Sequence, residues 1–220
     1  FVDPARRDGR GRTFGTADLQ PSWQYVRRLL AGTALAKVMP GLAHGDVPEG
    51  VEAEWVSDGG DLVEACLWGA PFAGTGRRAT VLPSGATITA TGAPVAVADI
   101  GAHLYEPDDA VIRAGLVGEL AADVGGWLPD AHIAYVSTDA PVRTPLARGF
   151  RVLDELPFRE KPLRAALQER RVGTLTIKKR GVEIVPDQLI KRLRLTGPNP
   201  ALVVMTRVRG SGRAFLVEPH

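Results

Sequence analysis

The chain has 220 residues, enough for a substantial core and more than one average domain needs. Hydrophobic content of 45% and charged content of 24% are ordinary for a globular protein and exclude disordered, collagenous and fibrous classes. No apolar run approaches the roughly 20 residues of a membrane-spanning helix, and no secretory signal is legible at the start. A single cysteine, Cys66, lies in the apolar stretch from Leu62 to Trp68. That excludes a disulfide framework and reads as a buried small hydrophobe in a reducing, cytoplasmic protein.

Phe1-Val2-Asp3-Pro4 reads as the last residues of a strand entering a turn, in a chain cut from something longer. Ala5 to Arg12, with Arg6, Arg7, Arg10, Arg12 and two glycines, is expected to be a flexible basic loop. Gln20-Pro21-Ser22 then opens a helix to about Leu30, and Thr33 to Met39 follows as an apolar strand. Strand, helix and strand in this order predict the crossover of a parallel sheet.

Val51 to Ser57 alternates, with Val51, Ala53 and Trp55 on one face and Glu52 and Glu54 on the other. Asp58-Gly59-Gly60-Asp61 is a turn, and Leu62 to Trp68 returns as the second arm of a hairpin. Arg77 to Leu82 and Ala86 to Thr91 form another pair around Pro83-Ser84-Gly85. Glu106-Pro107-Asp108 starts a helix whose buried stripe is Val111, Ile112, Leu116, Val117, Leu120 and Val124. Gly125-Gly126 ends it, and His132 to Ser137 is a strand. The last module is expected as strand Arg151 to Leu156, helix Lys161 to Arg170, strand Thr174 to Lys179 and helix Asp187 to Arg194. A closing hairpin then runs from Ala201 to Val208 and from Ala214 to Val217.

The charge is unevenly divided. Residues 1–142 carry 10 Lys/Arg and 18 Asp/Glu, whereas residues 143–220 carry 17 and 7. A basic module beside an acidic one suggests a polyanionic partner, and RNA is the one expected. Lys178, Lys179 and Arg180 end a predicted strand, and Lys191, Arg192 and Arg194 end a predicted helix. These six are the expected phosphate contacts, gripping a backbone without reading bases. The structural alternative is helix-dipole pairing at a helix C-terminus, worth only ~0.3–1 kcal/mol. His44, His103, His132 and His220 are scattered with no cysteine at ligand spacing, so no metal site is expected. Trp23, Trp55 and Trp68 fall on predicted apolar faces and read as core. Ser137, His132 and Asp139 lack a nucleophile-elbow pattern.

Asp3-Pro4-Ala5-Arg6 at a strand end resembles in part the Asp/Asn/Ser-Pro-Pro-aromatic motif of class I methyltransferases that act on exocyclic amines. Ala5 stands where the second proline would be, and Arg6 where the aromatic would stack on a base. Glu54-Trp55-Val56-Ser57, Glu64 to Trp68, Leu104 to Asp108 and Ile177 to Val182 extend the likeness over essentially the whole chain. The sequence resembles the second half of a class I methyltransferase family carrying a ferredoxin-like insert and a THUMP-like C-terminal domain. That resemblance implies an α/β fold, a partial Rossmann-like methyltransferase sheet followed by small α+β modules. It divides the chain into residues 1–92 (second half of the methyltransferase domain), 93–142 (ferredoxin-like) and 143–220 (basic, THUMP-like). It implies Asp3 and Pro4 as the catalytic pair that orients an acceptor amine by positioning, with Arg6 and Arg7 approaching the substrate.

The resemblance also implies S-adenosylmethionine as methyl donor of the parent protein. Its Gly-rich strand-turn-helix and acidic ribose partner are expected before Asp3, since Gly59-Gly60 and Gly125-Gly126 do not follow the required order. The expectation is therefore that these 220 residues alone do not bind it. A non-catalytic RNA-binding module is the competing reading, and a protein scaffold using the acidic front half a weaker third.

Overall fold

The computed structural model describes residues 1–5, 7–8, 11–12, 16, 19–74 and 76–220. They fall into two compact units, one of Phe1–Ala93 with Pro107–Leu120 and one of Pro94–Glu106 with Ala121–His220.

In the first unit, β1 (Arg7–Asp8) and β2 (Gly11–Arg12) pair antiparallel where a loop was expected. Helix α1 (Trp23–Leu30) starts at Ser22, whose hydroxyl accepts from the Tyr25 N–H, and buries Val26 and Leu30. Strand β3 (Leu35–Val38) follows, and Val2 lies parallel to it at Ala36. The Val2 N–H donates to the Leu35 carbonyl at 2.8 Å, and the Lys37 N–H to the Val2 carbonyl at 2.9 Å. The expected strand–helix–strand order is thus paired as a parallel unit.

Strands β4 (Glu52–Asp58) and β5 (Asp61–Trp68) form the expected hairpin, turning on Gly59 and Gly60 at φ of 61° and 95°. Strands β6 (Arg77–Leu82) and β7 (Ala86–Thr89) complete a sheet of order β3-β5-β4-β6-β7, in which only β4 and β6 run parallel. The acidic face of β4 is not on the surface, as alternation alone would have it. Glu52 and Glu54 are buried. Neighbouring strands supply their donors: Trp68 Nε1 at 2.9 Å and Thr80 Oγ1 at 2.5 Å to Glu54, and the Gly74 N–H at 2.6 Å to Glu52. Arg78 bridges both carboxylates, at 2.8 and 3.2 Å, and stacks on the Trp68 ring. A carboxylate so supplied can leave water.

The single helix expected after Asp108 is two. Helix α2 (Asp109–Ala114) is capped by the Asp108 side chain and ends at Gly115, and α3 (Val117–Asp123) begins beyond it. Gly115 is left-handed at φ 69°, with its N–H on the Ile112 carbonyl and that of Leu116 on Val111. The continuous apolar stripe hid this break.

The second unit is one six-stranded sheet. Its strands are β8 (His103–Pro107), β9 (Val136–Thr138), β10 (Ala147–Leu156), β11 (Val172–Arg180), β12 (Asn199–Val208) and β13 (Ser211–Pro219), in the order β11-β12-β13-β10-β8-β9. Pairing of β11 with β12 is parallel and that of β12 with β13 antiparallel. Helices α4 (Glu160–Glu169) and α5 (Pro186–Leu193) lay Leu163, Leu167, Leu189 and Leu193 against Leu175, Val203 and Met205. A second cluster joins Leu104, Tyr135, Phe150, Val204 and Val217. Two expectations are corrected here. Residues 103–107, taken partly as a helix start, are a strand, and the strand expected over 132–137 shrinks to Val136–Thr138.

The second correction has a cause in Asp130. Its buried carboxylate accepts from the His132 N–H, holding that segment in a turn. It also accepts from Arg207 Nε and Nη2, each at 3.0 Å, and from the Gly210 N–H at 2.9 Å in the β12–β13 turn. The Arg207 hydrogen bonds chiefly, with help from the two N–H groups and against the effect of burial, hold Asp130 down to about 2. A carboxylate depressed in the folded state stabilises above its unfolded value of ~3.9 and loses that contribution as pH falls through the folded value. Replacing Asp130 by Asn is expected to lower the thermal midpoint by several degrees at pH 7. The gap from wild type should close as pH drops from ~4 to ~2, as followed by circular dichroism melts.

Candidate functional site

Asp3 and Pro4 follow directly on the residue that pairs with β3. Asp3 is exposed and Pro4 buried, and Ala5 then exchanges backbone hydrogen bonds with Gln20. Asp3 therefore leaves the carboxyl end of a parallel-paired segment, the end at which open α/β sheets receive ligands. Arg6 lies outside the described residues, and Arg7 is described only as backbone in β1.

The six expected phosphate contacts do not form one surface. Lys178 and Arg180 alternate on β11 with Leu175 and Ile177, which pack under the helices, so they belong to the opposite face. There Lys178 meets Glu106 at 2.6 Å and lies over the Phe150 ring, while Arg180 lies 3.8 Å from Glu106 and over the Tyr135 ring. One carboxylate neutralises two of the expected contacts. Burial first, then Glu106, pushes the Tyr135 hydroxyl up to about 12 against the pull of Arg180. Lys179, Lys191 and Arg194 are exposed, with no hydrogen bond or ion pair among the described residues. Lys179 falls on the helix side of β11, and Lys191, Arg192 and Arg194 end α5 on that side. Arg192 is tied to Glu160 of α4 at 2.8 Å.

Beside these residues is a groove of about 780 Å³ near the start of β12, lined among others by Arg148, Phe150, Arg170, Lys178, Leu202 and Val217. Sequence reasoning missed it. Arg148 and Arg170 are far apart in the sequence, and nothing there tells that β10 and the end of α4 bring them to one cavity. The other reactive groups are structural. Cys66 is half-buried, and burial first, then Glu64 and Glu54, pushes its thiol up to about 11, which leaves it a poor nucleophile at neutral pH. The Ser137 hydroxyl donates to the His103 carbonyl and accepts from the Gly101 N–H. His103 is buried edge-on to His220 at 5.0 Å, and burial, then His220 and Arg151, lowers its basicity.

The described residues do not fit a methyl donor's cradle. Gly59-Gly60 turns an antiparallel hairpin, and Gly125-Gly126 follows α3 into an isolated bridge at Trp127. Neither pair lies between a parallel strand and a helix, where a backbone cradle would form.

Comparison with known proteins gives this geometry a context. Residues 147–219, from the first residue of β10 to the last of β13, match the THUMP domain-like family. Over 219 residues, 96% of the chain, the sequence is 42% identical to a Mycobacterium tuberculosis H37Rv protein named an uncharacterised S-adenosylmethionine-dependent methyltransferase. A protein of the same description from strain CDC 1551 / Oshkosh matches equally. The chain spans 60% of the length of these relatives. A crystal structure from Porphyromonas gingivalis W83, of a protein provisionally named a methyltransferase, matches with a TM-score of 0.76 at 21% identity. It covers 98% of this chain and 58% of that one, and shows that the fold is shared. The chain is thus similar over nearly its whole length to proteins named S-adenosylmethionine-dependent methyltransferases, and over residues 147–219 to the THUMP domain-like family. Among the described residues no helix is long and apolar enough to cross a membrane.

Lys178 and Arg180 share Glu106 of β8 as their acidic partner. Replacing Glu106 by Gln is expected to cost about 1–2 kcal/mol in urea unfolding, because two partly covered cations lose their carboxylate. The same change should lower the ionisation point of Tyr135 in an ultraviolet pH titration, since a neighbouring negative charge is removed.

Proposed function

We propose that this chain is the acceptor side of an S-adenosylmethionine-dependent methyltransferase that acts on RNA, the THUMP-like domain holding the nucleic acid. The observation that supports the methyltransferase part of the reading is the 42% identity, over nearly the whole chain, to relatives named S-adenosylmethionine-dependent methyltransferases. In it, the exposed Asp3 carboxylate accepts hydrogen bonds from the target amine and fixes the direction of its nitrogen lone pair. Pro4, buried behind it, fixes the backbone from which that carboxylate projects. Arg6 and Arg7 approach the same substrate, and an arginine plane can stack on a base where an aromatic ring would otherwise stand. S-adenosylmethionine is the methyl donor of the longer protein.

The RNA part of the reading rests on the 17 Lys/Arg against 7 Asp/Glu in residues 143–220 and on Lys179, Lys191 and Arg194, exposed without partners among the described residues. Cations with no carboxylate to give up are the ones that exchange most readily onto phosphate. A competing reading, an RNA-binding module with no chemistry of its own, draws on the lack of a donor cradle among the described residues.

One substitution separates the two. In the longer parent protein, Asp3→Ala should reduce methyl transfer from labelled donor to RNA by about 10²-fold or more while RNA affinity stays within about twofold. Unchanged transfer would remove Asp3 from the mechanism and favour the binding module. The 220 residues alone should give no heat with S-adenosylmethionine in calorimetry, and micromolar binding would overturn that. RNA affinity should fall by about 10³–10⁵ between roughly 50 and 200 mM salt if six to ten phosphates are held. Glu106→Gln, which frees Lys178 and Arg180, should bind RNA more tightly and more salt-dependently. Salt-insensitive binding would contradict the reading.

A further inference from the structure

We propose that the loop of residues 39–43, which Arg113 holds, is the second wall of the acceptor site beside Asp3. Its outward N–H groups meet the base that carries the target amine. This rests on the reading of Asp3 given above and adds the groups that meet the base next to that amine.

Strand β3 ends at Val38, and the chain then turns, the Leu42 N–H donating to the Met39 carbonyl at 3.1 Å. Counted on from Val2 opposite Ala36, Pro4 is level with Val38. The loop therefore leaves the sheet one residue beyond the Asp3-Pro4 pair. Neighbouring strands lie about 4.8 Å apart, and both segments leave at the carboxyl edge, where open α/β sheets take ligands. Half-buried Arg113 of α2 holds the loop from behind. Its Nε donates to the Pro40 carbonyl at 3.0 Å, and its Nη2 to the Gly41 and Leu42 carbonyls, each at 2.6 Å. His44 Nε2 donates to the Arg113 carbonyl at 2.7 Å, and Trp55 Nε1 to that of Pro40 at 3.2 Å. The clamp is closed from both sides.

Three successive carbonyls turned to one guanidinium also fix the opposite side of the loop. In a trans peptide the N–H points away from the carbonyl, so the N–H groups of Gly41, Leu42 and Ala43 are directed away from Arg113. That of Leu42 is used within the turn. Those of Gly41 and Ala43 make no hydrogen bond among the described residues, and both residues are exposed. Nothing within the chain requires a glycine at 41. Its φ is outside the left-handed region, and an added Cβ would meet nothing within 4 Å. The bare backbone is open to close approach by another molecule.

A base with an exocyclic amine carries a hydrogen-bond acceptor on the same edge, a ring nitrogen or a carbonyl. Asp3 accepts from the amine, and the loop donates to its neighbour. Two hydrogen bonds of opposite sense fix the base in its plane, which one carboxylate cannot do. Arg113 touches no substrate in this arrangement and is a positioning residue.

The test uses the longer parent protein, labelled S-adenosylmethionine and unfractionated bacterial RNA. Ala43 sits at φ −71°, a proline value, so Ala43→Pro removes its N–H without changing that angle. Ala43→Pro and Gly41→Leu should each raise the KM for RNA by about tenfold, with kcat and the KM for the donor within about twofold. Contacts made equally in the ground and transition states act on KM alone. Thermal midpoints of both variants should stay at the wild-type value. Arg113→Ala should raise the same KM, and Arg113→Lys should recover it in part. An unchanged KM for RNA in both loop variants overturns the loop proposal, and the Asp3 reading stands if Asp3→Ala still removes transfer. A rise in the donor KM instead, or a loss that follows the thermal midpoint, overturns it as well. Unchanged transfer in Asp3→Ala overturns the reading of Asp3 and the role of the loop with it.

Discussion

Strand β12 is covered on both faces, and the THUMP-like domain is organised by that constraint. Val203 and Met205 face the helices, Val204 and Val208 face the second cluster, and Thr206 between them is also buried. A strand buried on both sides needs a neighbour on each edge, or its backbone groups go unpaired. Those neighbours are β11, parallel, and β13, antiparallel. The antiparallel partner arrives through a two-residue turn held by Asp130. The parallel one requires a crossover, which α5 provides, and so α5 must lie on one face of the sheet. The basic end of α5 is carried to that side as a consequence.

Charge in this chain is mostly spent on charge. Glu52 and Glu54 are buried against Arg78 and Asp130 against Arg207, while the half-buried Glu106 pairs with Lys178 and Arg180 and the exposed Glu155 with Arg213. The excess of cations in residues 143–220 therefore overstates what a phosphate would meet. What remains open is a smaller set, including Lys179, Lys191 and Arg194 on the helix side and Arg148 at the groove.

The first unit contributes differently. Pairing of Val2 with β3 draws the segment before Asp3 into the sheet, so Asp3 is presented by paired backbone. That fits a role in orientation. The residues rich in available cations are separate in sequence from Asp3.

The sequence by itself determined most elements and the uneven charge. Helical spacing marked α1, the glycine pair marked the β4–β5 turn, and alternation marked β4, because these patterns arise from local periodicity and turn chemistry. It also carried the resemblance to methyltransferases with a THUMP-like domain. Only the tertiary structure decided where Glu52 and Glu54 go, since their burial depends on Trp68, Arg78 and Thr80 from other strands. It alone revealed the helix break at Gly115, the shortening of the strand at Asp130 by a turn 80 residues later at Gly210, and the pairing of Glu106 with Lys178. The groove belongs to the same class, because Arg148, Arg170 and Lys178 meet through strand order. Strand order depends on pairings between distant residues, and no local pattern records them.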